Sequence, residues 1–178
     1  LKANLCDAVF IPTQAEIESI QKVFVDLGQL DKVMEGKYRP NHFQGVVEVV
    51  YRLFSVVMPD KAFFGEKDFQ QLQVIKKMVE KLKLPVEIIG APILREENGL
   101  AMSSRNSRLS PEARDNAGFI FNALNCFTVA ERRVWEKRLF ESGFELEYLE
   151  VYEFGNQKRL FVAGMYDGVR LIDNVEFN

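Results

Sequence analysis

The sequence predicts an α/β protein, in which a unit built on a parallel sheet precedes a smaller α+β unit with an antiparallel hairpin. Ala62-Phe63-Phe64, a helical stretch opening at Asp68, and Val86-Glu87-Ile88-Ile89 stand in strand–helix–strand order. That order calls for a right-handed crossover between parallel strands. Asp167-Gly168 separates the apolar runs 160–166 and 169–175, a two-residue hairpin signal. The composition, 47% hydrophobic and 28% charged over 178 residues, is globular and excludes collagenous, low-complexity and disordered chains. A chain of this size buries roughly 70% of its unfolded surface, enough for one good core or two small ones.

Taken in order, Ala8-Val9-Phe10-Ile11 is expected as a short buried strand stopped by Pro12. Residues 16–39 lack a clear period, and Gly36-Lys37-Tyr38-Arg39-Pro40 reads as a basic loop. From Asn41, Val46, Val49, Val50, Leu53, Val56 and Val57 recur at three- and four-residue steps, which predicts a helix with that face buried, ending before Pro59. Gly65 breaks the strand at 62–64. The next helix, from Asp68, places Leu72, Ile75, Met78, Val79 and Leu82 inward and Lys76, Lys77, Glu80, Lys81 and Lys83 in water, and Leu84-Pro85 ends it.

Arg95-Glu96-Glu97-Asn98-Gly99 is a polar turn, and the boundary between units is placed in the loop at about 95–110, dividing the chain into 1–96 and 97–178. Ser110-Pro111-Glu112 has an N-cap, a first-turn proline and an acidic residue in the order that starts a helix. A further helix is expected over 129–140, and a strand over 145–153 with Leu146, Tyr148 and Leu149 inward. There is no internal repeat.

The 23 basic residues against 26 acidic ones give a net charge of −3, which argues against a general nucleic-acid coat but leaves room for a local phosphate site. No apolar run reaches ~18 residues, so no membrane span is expected. Leu1 is not followed by a basic-then-apolar leader, so no secretory signal is expected. Cys6 and Cys126 are too few for a disulfide framework, no CxxC or His/Cys spacing calls for zinc, and both are read as packing residues. A reducing cytoplasmic setting is the expectation.

Ligands of open parallel sheets sit beyond the carboxyl ends of the strands. Here those places are Gly65–Asp68 and the segment from Gly90. Gly65-Glu66-Lys67-Asp68 stands where strand gives way to helix, and a helix amino terminus favours phosphate. Lys67 would add a full charge, Gly65 would admit close backbone approach, and Asp68 could accept from ribose hydroxyls. The alternative is a strand-ending glycine followed by an N-capping aspartate. GxxxxGK[ST] and GxGxxG are both missing, which disfavours P-loop ATPases and nicotinamide dehydrogenases. Ser103-Ser104-Arg105 supplies two hydroxyls and a guanidinium fork suited to a polyphosphate, or is simply a polar loop. One of Gln70 and Gln71 could face a ligand. His42, the single histidine, can support no paired-histidine site and reads more naturally as structural.

Three motifs in order, Arg39-Pro40-Asn41-His42-Phe43-Gln44-Gly45, Phe64 through Leu72, and Gly99 through Asn106, resemble the pantoate–β-alanine ligase (pantothenate synthetase) family. Arg170-Leu171-Ile172-Asp173-Asn174 is similar to that family's closing strand. The resemblance implies the C-terminal half of a nucleotidyltransferase-type Rossmann domain over 1–96 and a small α+β lid domain over 97–178. It also implies condensation of pantoate with β-alanine using ATP and Mg²⁺, through a pantoyl adenylate, with release of pyrophosphate and AMP.

Carried onto this chain, Gly65 and Asp68 would hold ribose, Lys67 the phosphates, and Glu66 would belong to the same nucleotide turn. Gln71 would bind pantoate, Leu94 and Met102 would border adenine, and Ser103, Ser104 and Arg105 would grip the triphosphate. Lys67, Ser103, Ser104 and Arg105 would carry the catalysis, and no residue is assigned to metal. A homodimer through the helix after Arg39 is implied, with no nucleic-acid or membrane partner.

The family's HIGH-like histidine motif and a second pantoate-binding glutamine would lie before residue 1. The loop at 17–24 and the linker at 125–128 are shorter than expected, and Arg108 replaces an aromatic residue. Without the upstream half, the chain alone is expected to be inactive, with weak nucleotide affinity at most. A non-catalytic nucleotide-binding module and a tRNA-binding relative of the aminoacyl-tRNA synthetases are the competing readings.

Overall fold

The structure, a computed structural model, describes residues 7–177. Short helices α1 (Gln14–Glu18) and α2 (Met34–Tyr38) lead into the long helix α3 (His42–Val57). Strand β1 (Lys61–Gly65), helix α4 (Phe69–Leu82) and strand β2 (Glu87–Ala91) then form the expected parallel crossover, with Phe63 opposite Ile89. Helix α4 ends because Lys83 turns left-handed (φ 50°), Leu84 N–H caps back onto Val79 O, and Pro85 follows. Its Val74, Ile75 and Met78 pack on Phe43 and Val47 of α3 and on Val25 and Leu27. Each such buried aliphatic side chain stabilises the fold by roughly 2 kcal/mol.

The second half packs α5 (Pro111–Asn116), α6 (Phe119–Cys126) and α7 (Arg132–Glu141) on a three-stranded antiparallel sheet. Its strands are β3 (Glu145–Phe154), β4 (Gln157–Tyr166) and β5 (Val169–Glu176), in the order β3-β4-β5. Leu160 and Val162 face those helices, while Phe161 and Ala163 face Met34, Phe69 and Leu72 of the first half. A sheet covered on both faces explains why Leu160–Ala163 is continuously apolar, and why both Tyr148 and Leu149 are buried. Asp167 and Gly168 both have positive φ (50° and 71°), as a type I′ hairpin turn requires.

Several expectations are corrected. Residues 8–11 form no strand; Val9, Phe10 and Ile11 are exposed, and the parallel sheet consists of β1 and β2 alone among the described residues. An apolar run becomes a strand only where a neighbour completes its ladder. Gly36-Lys37-Tyr38 is helical rather than a loop. A Cβ on Gly36 would fall 2.4 Å from the Asp31 carbonyl carbon, so this glycine admits the close approach of the preceding turn. Helix α3 has the expected span, but Val49, Val56 and Val57 are exposed, because α4 covers only the side carrying Phe43 and Val47.

Lys77 is half-buried rather than solvated: its Nζ donates to Leu27 O at 2.9 Å. Cys126 is exposed, not packed, and Cys6 lies outside the described residues. Helix α6 went unforeseen, since it is apolar around most of its circumference and Gly118 gives no side-chain cap. The second hairpin, at Gly155-Asn156 between β3 and β4, was also missed. Among the described residues, no helix is long and apolar enough to cross a membrane.

Candidate active site

At the carboxyl end of β1 the chain makes one 3-10 turn, Glu66–Asp68, before α4 opens at Phe69. Asp68 occupies the N-cap position, yet its side chain makes no capping hydrogen bond. Lys67, Asp68 and Gln71 line a cleft of about 140 Å³ together with Arg105, Tyr148 and Asp173. Lys67 and Arg105 also line a small recess of about 10 Å³ with Ser103 and Asn106, room for about one water. The two cations thus border common space although one belongs to the β1–α4 junction and the other to the 3-10 turn Ser104–Arg108.

The glutamine pair divides clearly. Gln70 is buried, donates to Leu30 O and Val33 O, and accepts from Glu35 N–H. Gln71 is half-buried and lines the cleft without those constraints. Ser103 accepts from the Arg105 amide at 3.2 Å, which shapes the turn. Ser104, Leu94 and Met102 are exposed and do not line the cleft. Met102 instead borders a wider, open hollow of about 980 Å³ with Glu96 and Arg114. That hollow is the larger, but its Arg95 and Arg114 are paired with Asp173 and Glu96, whereas Lys67 and Arg105 line the smaller cleft with no ion pair among the described residues, which makes the cleft the better anion site. Space over Gly65 is open, since a Cβ placed there would meet no atom within 4 Å, whereas Glu66 turns away to lie 3.7 Å from Arg159.

Glu35, Arg39, His42 and Tyr148, to none of which the sequence analysis gave a ligand-binding role, also line the cleft. The Glu35 carboxylate accepts from Arg170 at 2.6 and 2.9 Å and from Tyr148 Oη at 2.8 Å. Arg170 also reaches Glu147 at 2.6 Å. Burial alone would raise the Glu35 pKa, but the hydrogen bonds from Arg170 and Tyr148 and the Arg170 charge hold it below the ordinary carboxylate range. Burial, reinforced by Glu35, pushes the Tyr148 phenol upward, so it stays protonated and donates.

Burial and then Arg39 lower the His42 pKa, so this ring is neutral at pH 7. Only Arg39 and His42 had a local signal, the Arg-Pro-Asn-His run. Tyr148 meets Glu35 across 113 positions, which no local pattern reveals.

A parallel crossover with a cationic turn at its carboxyl end, joined to an antiparallel unit that supplies a second cation, is a nucleotidyltransferase-type α/β arrangement. The sequence profile described as Pantoate-beta-alanine ligase matches residues 1–176. The chain belongs to the pantoate–β-alanine ligase family.

It is 47% identical over 192 residues to the pantothenate synthetase of Christiangramia forsetii, covering 96% of this chain and 68% of that protein. It is 45% identical over 175 residues to the one from Bdellovibrio bacteriovorus, covering 97% and 67%. The crystal structure of pantothenate synthetase from Thermus thermophilus matches with a TM-score of 0.79 and 43% identity over 88% of this chain and 63% of its own. The Francisella tularensis pantoate-beta-alanine ligase, complexed with beta-gamma ATP and beta-alanine, gives 0.77 and 31% over 89% and 59%. The chain therefore spans about two thirds of the length of its curated relatives and somewhat less of the solved structures.

Proposed function

We propose that this chain is the nucleotide-binding and C-terminal portion of an enzyme that condenses pantoate with β-alanine at the expense of ATP. The observation that carries the proposal is the convergence of Lys67 and Arg105 on one cleft from separate elements. In this reading the pantoate carboxylate oxygen attacks the α-phosphorus and pyrophosphate leaves. The β-alanine amine then attacks the resulting acyl carbon, and AMP leaves. Lys67 and Arg105 oppose charge as it builds on the departing pyrophosphate, and Gln71 orients pantoate.

Asp68, free of capping duty, and Gly65 receive the ribose. Ser103 and Ser104 complete the phosphate grip, with Leu94 and Met102 beside the adenine. The cleft is smaller than the ~300 Å³ at which ligand pockets begin, so the nucleotide would extend beyond it. Glu66, tied up near Arg159, is assigned a structural part.

Mg²⁺ would arrive with the triphosphate, since it commonly relies on substrate phosphates, and Asp68 and Asp173 in the cleft lining are carboxylates of the kind it takes. Bound there, it would neutralise phosphate charge. We further propose a division near residue 96 into a Rossmann portion and a C-terminal lid, a cytoplasmic setting, no nucleic-acid partner, and a homodimer through α3, whose exposed Val49, Val56 and Val57 suit an apolar interface.

Pantoate-dependent release of pyrophosphate by the natural full-length protein tests the reaction. Calorimetric titration of the 178-residue chain with ATP tests the site. The chain is expected to bind ATP weakly and release no pyrophosphate; absence of both binding here and turnover in the full-length protein would refute the reading.

A further inference from the structure

Strand β5 carries Asp173 and Asn174 near its end, and both are buried. The Asn174 side-chain amide donates to two main-chain carbonyls of the cationic turn, Glu66 O and Lys67 O, each at 3.0 Å. Its orientation is dictated by Arg159, whose Nε donates to Asn174 Oδ1 at 2.7 Å. A guanidinium has only donors, so the amide oxygen must face it and the NH₂ must face the turn. Arg159 is itself buried and lies 4.4 Å over the ring of Phe69, the first residue of α4.

The neighbouring Asp173 carboxylate accepts from Arg95 at 2.6 and 3.1 Å. Arg95 also donates to Gly99 O at 3.0 Å, and its backbone bridges to Ala101. Arg95 therefore ties down the base of the loop that carries Ser103, Ser104 and Arg105. Two adjacent residues of one strand grip the two segments whose cations share the cleft.

We propose that Asn174 is a positioning residue, its amide fixing the Glu66–Lys67 main chain so that Lys67 meets the same ligand as Arg105, while Asp173, through Arg95, fixes the loop that carries Arg105. The ligand part rests on the nucleotide reading above. Asn174 touches no reacting atom in this scheme; it sets the distance that two flexible cationic side chains must span. The arrangement also gives a role to the Arg170–Asn174 motif that lies outside the phosphate-suited segments.

The test uses Asn174→Asp and Asn174→Ala in this chain. The aspartate keeps the oxygen that Arg159 needs but removes both donations to the turn, so it separates donor loss from general loss of packing. Amide hydrogen exchange over 62–72 is expected to quicken at least tenfold in both variants, with the β3–β4 hairpin unchanged. ATP affinity is expected to fall at least tenfold, as it should in Lys67→Ala. Wild-type exchange in the turn of Asn174→Asp, or undiminished ATP affinity, would overturn the proposal, and this variant decides if the alanine fails to fold. If the wild-type chain binds no ATP, the affinity comparison is made in the full-length protein; no binding or turnover in either would refute the nucleotide reading and the ligand half of this proposal, while exchange still decides for or against the clamp.

Discussion

Glu35 is 7% exposed and ties α2 to β3 and β5 through Tyr148 and Arg170. Replacing it by glutamine keeps the volume but removes the charge that Arg170 answers. Complete removal of one member of a buried pair costs about 3–5 kcal/mol. Here Arg170 retains Glu147 at 2.6 Å, and the new amide oxygen can still accept from Tyr148, so the expected cost for Glu35→Gln is about 2 kcal/mol.

The pH dependence follows from the direction of the shift. A carboxyl whose folded-state pKa is depressed contributes stability that is present above its unfolded pKa, about 4.3, and is lost as pH falls through the folded value. The gap between wild type and Glu35→Gln should therefore be full at pH 7 and shrink on acidification below about pH 4.3. Urea unfolding of both proteins from pH 7 to pH 3.5 measures it. A gap under about 0.5 kcal/mol at pH 7, the size of a surface substitution, or one that does not change with pH, would refute the reasoning.

Two further outcomes are expected. In the full-length protein, Lys67→Ala and Arg105→Ala should each cost about 3 kcal/mol or more in kcat/KM, the scale of one lost electrostatic donor, as read by steady-state pyrophosphate release. Gly118→Ala should destabilise by about 2 kcal/mol, as overpacking does, because its Cβ would fall 2.1 Å from Asn98 O; thermal melting of the purified chain checks this.

The parallel crossover is legible because its signals are local: the short apolar run Ala62-Phe63-Phe64, a one-sided helix and a terminating Leu-Pro. The Asp167-Gly168 turn was legible for the same reason, since positive φ at both positions selects those residue types. Failures fell where tertiary context decides. The face of α3 depended on which side α4 covers, and the fate of Val9–Ile11 depended on a strand neighbour. Helix α6 carried no boundary signal at Gly118.

In the site, Lys67, Asp68, Gln71, Ser103 and Arg105 were named from short motifs and do converge on adjoining recesses. Ser104, Leu94 and Met102 stand outside the cleft, since a motif gives proximity in sequence but not the direction of each side chain. Glu35 and Arg159 carry no sequence signal, and Tyr148 signals only an inward strand position, because a charged or phenolic residue becomes informative only once burial forces it to find a partner. The lone His42 was read as structural, and the structure sets its neutral ring in the cleft wall.

The most direct measurement is a double-mutant cycle on ATP binding by the 178-residue chain, using Lys67→Ala, Arg105→Ala and the pair together in calorimetric titrations. If both side chains contact one triphosphate, each single change weakens binding and their effects are non-additive by about 1 kcal/mol or more. Effects that sum simply, or a single variant that binds ATP as the wild type does, would contradict the account.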